Sequence, residues 1–363
     1  MKRFNLITIG LVFFVFGCNF SYIDEIVAVD PGPDMEAPEI ILNYPVEGTL
    51  IRVTEQVTSI TIRSEVKDDI ELQSVIFSLN GNEIGSFSEF RDYRRAILEF
   101  DYNNITNGQH VLTVTAKDLS GKTTTKSVNF EKVAPYEPIY DGEIFYLPFD
   151  GDNMELVSIR NATRVGNPGF AGTSVVGSNA FAGAADSYLT FPTEGLLHQE
   201  FSAVFWYKIN NAPDRAGILT IGPPDPNNPN NMNNRTQGFR LFREGSPTRQ
   251  TFKLNVGNGS GDNWFDGGGA ASINPTENTD WIHLAFTISG SSVAVYIDGQ
   301  VVSQGNFPGI GWANCDILSI ASGAPRFTQW GHLSDRSFFD ELRLFNKALS
   351  QQEIQAIIDT EKP

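Results

Sequence analysis

Apolar and polar residues alternate with a period of two along most of this chain, and helical spacing replaces that alternation only near its end, which restricts the fold to one built from β-strands. Ile60, Ile62, Ser64 and Val66 alternate with polar neighbours, as do Val75, Phe77 and Leu79, and then Leu112, Val114 and Ala116. That is the pattern of antiparallel strands with one buried face and one wet face. Asn80-Gly81 follows the second run directly, and Asn107-Gly108 and Ser120-Gly121 punctuate later ones. Such pairs tolerate the positive φ angles that tight hairpin turns require. Residues 38–132 therefore read as a small sandwich of about seven strands, with no cysteine pair to bridge its sheets.

A linker, Ala134-Pro-Tyr-Glu-Pro138, separates this region from a second, 140–360, in which strand-like runs recur: Ile144 to Phe149, Ala203 to Ile209, Gly217 to Ile221, Phe239 to Phe242, Phe252 to Val256, Trp281 to Ile288 and Val293 to Ile297. A single all-β unit of that size fits two large antiparallel sheets packed as a jelly roll. Its one helix signal is Ser350-Gln-Gln-Glu353, a capping box in which each side chain satisfies the other residue's free backbone N–H. Ile354, Ile357 and Ile358 give that helix one apolar face, expected to pack on the sandwich edge.

Charged residues at 19% and 27 Phe mean that the chain has enough apolar surface to form packed cores. The net charge of −17 becomes more negative still if Lys2 and Arg3 are removed with a leader, and a charge of that sign repels phosphate backbones, so nucleic acid is excluded as a partner. Two cysteines rule out both a disulfide scaffold and a cysteine-rich zinc module.

Lys2 and Arg3 precede the apolar run Leu6 to Gly17, whose 12 residues suit a signal-peptide core and fall short of the ~20 needed to span a bilayer. The run ends in Val15-Phe16-Gly17-Cys18. This resembles the lipobox of bacterial lipoproteins, which implies a leader over 1–17, lipidation of Cys18 and attachment to the membrane by the lipid alone. Residues 18–37 are acidic and rich in Pro and Gly, without periodicity, and read as a flexible tether. Asp24 and Glu25 stand where lipoproteins of Bacteroidetes carry an acidic signal for export to the cell surface. The implied location is the outer membrane, facing outward.

The run from Asp68-Asp-Ile through Ser74-Val-Ile-Phe-Ser-Leu-Asn-Gly81 to Gly108-Gln-His-Val-Leu-Thr-Val-Thr-Ala-Lys-Asp118 and Gly121 resembles bacterial Ig-like domains, which implies a spacer. Phe145-Tyr-Leu-Pro-Phe-Asp-Gly151, Phe201-Ser-Ala-Val-Phe-Trp-Tyr207, Trp281-Ile-His-Leu-Ala-Phe-Thr287 with Val295-Tyr-Ile-Asp-Gly299, and Phe339-Asp-Glu-Leu-Arg-Leu-Phe345, in this order, resemble the laminin-G-like, concanavalin A-type lectin/glucanase domain. The expected architecture is an all-β chain: an Ig-like sandwich, then a concanavalin A-like jelly roll with a short C-terminal helix.

That second resemblance implies a structural Ca²⁺ held by Asp150 and Asp340, whose hard oxygens suit the ion, with backbone carbonyls completing the shell. Asp340 alternates in phase with Phe338, Leu342 and Leu344, so it is expected on the apolar side of its strand, where a lone carboxylate is costly. Retaining glucanases on this fold need two carboxylates ~5–5.5 Å apart, on a strand reading Glu-x-Asp-x-x-Glu, and no such triplet occurs. Asp340 and Glu341 are adjacent and expected on opposite faces. His110, His198, His283 and His332 form no metal-spaced pair, Cys315 reads as a core residue, and the Gly-rich stretches lack the Lys-Ser/Thr of a phosphate loop. No catalytic constellation is present.

Binding remains, and sugar rings present C–H faces that stack on aromatic side chains while amides and charged groups meet their hydroxyls. Trp264-Phe265, within the Gly-rich 257–269, reads as an exposed loop platform. Trp330, with Arg326 and Gln329 nearby, and Trp312 occupy Gly/Pro-rich connections and are further candidates, each able instead to plug a loop onto the sandwich, whereas Trp206 and Trp281 lie on strands and read as core. Gly222 to Arg235 is Asn/Pro-rich, either a long loop near the ligand face or a disordered excursion. The expected function is non-catalytic capture of a polysaccharide or oligosaccharide at the cell surface for an outer-membrane glycan transporter complex. The alternatives are adhesion to a protein or matrix partner, or a divergent glycoside hydrolase.

Overall fold

The computed structural model describes residues 32–362; the leader, the lipobox with Cys18 and most of the tether lie outside them. The chain forms two compact units, both of β-sheet.

Between Glu39 and Lys132, a three-stranded sheet (Glu39–Tyr44, Val57–Lys67, Arg95–Thr106) accompanies a five-stranded one (Thr49–Ile51, Thr123–Lys132, Gly108–Asp118, Leu72–Leu79, Asn82–Phe87). The alternation read from sequence is the burial pattern: Ile60, Ile62 and Val66, Val75, Phe77 and Leu79, and Leu112, Val114 and Ala116 are all buried. Asn80 and Gly81 take φ of 50° and 83° in the hairpin joining Leu72–Leu79 to Asn82–Phe87, the left-handed geometry that favours these two residue types. Thr49–Ile51, three residues long, brings the strands to eight. His110 is buried with its ring stacked on Phe130 at 5.2 Å, a core position.

The second unit is a sandwich of two eight-stranded sheets. One is centred on Phe338–Phe345, Phe201–Lys208, Ile282–Ile288 and Ser292–Ile297, the other on Ile317–Ile320, Arg215–Ile221, Phe239–Ser246 and Arg249–Gly257. Their inner faces meet through Phe145, Phe201, Phe205, Phe239, Phe286 and Phe339, all fully buried. Each such ring contributes roughly 1.5–3 kcal/mol of burial free energy. Cys315 lies in this core, and Trp206 and Trp281 are buried, as their strand positions predict.

Ser350 caps the helix Gln351–Glu361 with both bonds of the capping box in place. The helix does not pack on the sandwich edge. Ile354 and Ile357 lie on Val204, Ala285, Tyr296 and Phe345, residues out of phase with the core positions of their strands. The sheet thus has an apolar outer face as well as an apolar inner one, and the helix covers it.

Candidate functional site

The outer face of the other sheet is not covered in this way. Along Phe239–Ser246, Phe239 and Leu241 enter the core while Phe242 and Glu244 point away from it. Lys253 stands opposite Phe242 in the ladder and Asp266 opposite Lys253. Trp264 lies across from Asn255 on the short strand Asp262–Asp266. It is 42% exposed, whereas the neighbouring Phe265 is 5% exposed and meets Phe307 edge-on at 6.0 Å in the core. This corrects the sequence expectation of a loop platform made by both residues: a strand's alternation turns the tryptophan out and the phenylalanine in.

Trp330, 37% exposed, reaches the same face from the connection after Ile320, and its ring lies 5.9 Å from that of Trp264 at an interplanar angle of 38°. A buried second layer holds the pair. Phe242 meets Trp264 edge-on at 5.8 Å, Phe327 meets Trp330 edge-on at 5.7 Å, and His332 stacks on Phe327 at 5.0 Å. The Asn/Pro-rich segment is a loop on this face. Met232 O accepts the backbone N–H groups of Thr328 and Gln329, and Asn234 O and Gln237 O accept from the buried Arg240. At the end of that segment Arg235 sets its guanidinium over both indoles, 5.3 Å from Trp264 and 4.9 Å from Trp330, with its Nε 3.3 Å from Asp262.

Beside the rings, a cleft of 370 Å³ is floored by Phe242 and His332 and walled by Arg215, Glu244 and Lys253. Glu244 receives Lys253 Nζ at 3.1 Å, His332 Nε2 at 3.1 Å and Arg215 Nη2 at 3.5 Å, and Lys253 also reaches Asp266 at 2.6 Å. Burial pushes the His332 imidazole down to about 4 against the pull of Glu244, so at neutral pH it is an uncharged N–H donor. Burial alone would raise Glu244, but Lys253 and His332 hold it below the ordinary carboxylate range.

Sequence reasoning named Trp264 and Trp330, and the structure brings them together. Trp312 is elsewhere: it packs on Phe201 and Phe239 at 5.8 and 6.2 Å and donates Nε1–H to His198 O at 2.8 Å, anchoring a loop to the core. Arg326 is committed to Asp316 at 2.6 Å, and Gln329, though exposed beside Trp330, does not line the cleft. Arg215, Arg235, Glu244 and Lys253 were missed. For Glu244 and Lys253 the signal was alternation, since Arg240, Phe242 and Glu244, and likewise Thr251 and Lys253, fall in phase on one strand face, whereas Arg235 lies in a loop with no period to show it.

Residues 181–355 match the model of the concanavalin A-like lectin/glucanases superfamily, and residues 38–114 match that of a bacterial Ig domain. The second unit is a concanavalin A-like domain. Similar solved structures include domain 4 of AbnA, an extracellular GH43 arabinanase from Geobacillus stearothermophilus, in complex with arabinotriose, at 18% identity over 60% of this chain and 99% of that one with a TM-score of 0.43. The binding domain of botulinum neurotoxin DC, in complex with SialylT, is another, at 13% identity over 61% of this chain and TM-score 0.44, and the match spans about half (52%) of that chain. No curated protein matches the chain.

On the concanavalin A-like domain's other sheet, Asp150 and Asp340 grip one loop. Val175 and Val176 donate backbone N–H groups to Asp340 Oδ2 at 2.7 and 3.1 Å, and Ser178 and Asn179 donate theirs to Asp150 Oδ1. Gly177, at φ 67°, is required between them, because a Cβ there would fall 2.2 Å from the Asp150 carboxylate. Asp340 Oδ1 is buried and makes no hydrogen bond to the described residues. Burial, then the neighbouring charges of Glu341 and Asp150, raise the Asp340 carboxyl to about 7. Two carboxylates with a spare buried oxygen fit a hard cation. Among the described residues no three acidic, His or Cys side chains cluster for a metal, so the other ligands would be backbone oxygens.

Asp340 does not share a face with Leu342 and Leu344, as simple alternation predicts. The strand pairing shifts register here, Glu341 takes φ 53°, and the bulge places Asp340 with Phe338 on the outer face while Phe339, Leu342 and Leu344 fill the core. Asp340 and Glu341 therefore lie on the same face rather than opposite ones. They do not form an open carboxylate pair, because Glu341 is held by Tyr146 Oη at 2.9 Å and Arg343 Nη2 at 2.6 Å.

Proposed function

We propose that this chain is an exported outer-membrane lipoprotein, anchored through Cys18, that captures polysaccharide on the Trp264–Trp330 face for a neighbouring glycan-uptake complex and does not cleave it. The observation that carries the reading is the exposed tryptophan pair: two indoles from distant parts of the sequence, 5.9 Å apart, braced from beneath by buried aromatics and flanked by charged hydrogen-bonding groups. Aromatic faces stack on sugar C–H groups, and Glu244, Lys253 and Arg215 offer acceptors and donors to hydroxyls. Catalysis is disfavoured because Glu244 is the single carboxylate among the described residues that line the cleft, whereas glycoside hydrolysis needs a pair flanking the bond. Calcium at Asp150 and Asp340 would neutralise two carboxylates and fix the Val175–Asn179 loop, a structural role on the other sheet.

Affinity electrophoresis of residues 19–363 against a polysaccharide panel tests this. Retardation by a subset of polymers, lost in Trp264→Ala with the fold intact, is the expected result. A folded protein that no polymer retards, or equal retardation of the variant, overturns it, and release of reducing ends would replace capture with hydrolysis.

A further inference from the structure

We infer that the tryptophan face selects acidic polysaccharides, with carboxylate or sulfate groups of the chain seated on Arg215, Lys253 and Arg249 while neighbouring sugar rings stack on Trp264 and Trp330. The inference rests on the polysaccharide reading above and names its substrate class. The cleft beside the tryptophans does not end at Lys253. Arg215, Glu244 and Lys253 also line a second depression, of 410 Å³, which continues over Ser246, Arg249 and Thr251. Arg249, Thr251 and Lys253 alternate along one strand and so form a row on the outer face that leads to Asn255, across from Trp264. At ~3.3 Å per residue that row is roughly 20 Å long, enough for several sugar units.

Its charge runs against the rest of the molecule. Three cations line the second depression against one carboxylate, Glu244, and Asp266, 2.6 Å from Lys253, offsets a second, which leaves one positive charge in excess in a chain whose net charge is −17. Glu244 is already shared among Lys253, Arg215 and His332. Among the described residues Arg249 has no acidic partner within ion-pair distance; its Nε donates to Ser272 Oγ at 3.2 Å, and Asp266 feels its charge only at longer range. Arg215 turns Nη1 to Trp330 O at 2.8 Å, which fixes a guanidinium at the edge of the stacking platform. A planar guanidinium meets carboxylate and sulfate with two parallel hydrogen bonds. An acidic chain repels anionic polymers over most of its surface, so a basic row beside an aromatic platform discriminates by position as well as by strength.

The test is calorimetry of residues 19–363 with polymers matched except for charge: polygalacturonate against its carboxyl-reduced form, and dextran sulfate against dextran. The expected result is at least tenfold tighter binding of one acidic polymer than of its matched control, a preference that shrinks with added salt and falls at least threefold in Arg249→Gln. Which pair shows the preference distinguishes carboxylate from sulfate. Equal or tighter binding of the neutral forms, dependent on Trp264, keeps the capture reading and overturns the acidic one, as does a preference that Arg249→Gln leaves intact. Acidic-polymer binding that survives Trp264→Ala but not Arg249→Gln keeps the anion row and removes the stacking site. Silence of every polymer overturns both.

Discussion

The two sheets of the concanavalin A-like domain share one core and turn contrasting faces away from it. On the first, Arg343 is buried among Glu143, Glu341 and Glu361 at 2.6, 2.6 and 3.0 Å, with Tyr146 beneath its guanidinium at 3.6 Å and the C-terminal helix laid over the adjoining strands. On the second, Glu244, Lys253 and Arg215 pair beside exposed indoles. The denser charge network is the structural one. Its donors and acceptors are spent on each other and on Trp206, whose Nε1–H bonds Glu361 at 2.8 Å, whereas the looser network keeps its hydrogen-bonding capacity open to a ligand. Charge clustering alone does not mark a site; charge beside uncovered aromatic surface does.

Breaking the covered face should have the largest effect. Arg343→Met leaves three buried carboxylates without their cation and is expected to cost ~3–5 kcal/mol in urea denaturation. A loss below ~1 kcal/mol would mean that Ile354 and Ile357 hold the helix without the charge network.

The two faces should next respond to pH with opposite sign. Burial, helped by the neighbouring charge of Glu341 and opposed by the Arg343 guanidinium, raises Glu361 to about 7. The folded protein therefore holds a proton that the unfolded chain releases near 4.5, and Glu361 contributes stability that is full below that value and lost as pH rises through 7. His332, pushed down to about 4, contributes stability that is present above 6.5 and lost as pH falls through 4. Each contribution is on the order of 1–3 kcal/mol. Glu361→Gln should flatten the alkaline limb of a stability–pH profile and His332→Gln the acid limb; the same limb changing in both variants would refute the contrast.

The open face should yield a binding loss with little cost to the fold. Trp264→Ala is expected to weaken polysaccharide binding at least tenfold, ~1.4 kcal/mol, while the melting temperature moves far less than in Arg343→Met. Melting of both would show that the indole belongs to the core. The smallest expected effect is that of calcium. Millimolar calcium should raise the melting temperature by a few degrees over chelator, ~1 kcal/mol, and Asp340→Asn should abolish the shift. An equal shift in the variant would exclude Asp340 as a ligand.

Local signals carried the fold a long way. Alternation at Val75, Phe77 and Leu79, the Asn80-Gly81 turn and the Ser350–Glu353 capping box are each formed by residues close in sequence, and the structure contains all three. Phe265 and Asp340 were misplaced because a five-residue strand rich in glycine on both sides does not show its period, and a bulge at Glu341 changes the phase without changing the composition. Trp312 was left between a ligand site and a loop plug because glycine and proline around a residue describe its backbone, while the Phe201 and Phe239 rings that meet it decide for the plug.

By itself, then, the sequence determined what neighbours along the chain can settle: strands, turns, a capped helix, an acidic surface and a supply of aromatic residues. The tertiary structure decided which aromatics stayed at the surface and what they met there. Trp264 faces Trp330 because ladder register fixes one and a loop stapled to Met232 fixes the other, and Arg235 joins them from a segment whose composition carries no such instruction. Register, bulges and loop closure couple residues far apart in sequence, so a site assembled from four separate segments exists only once the sheet has formed.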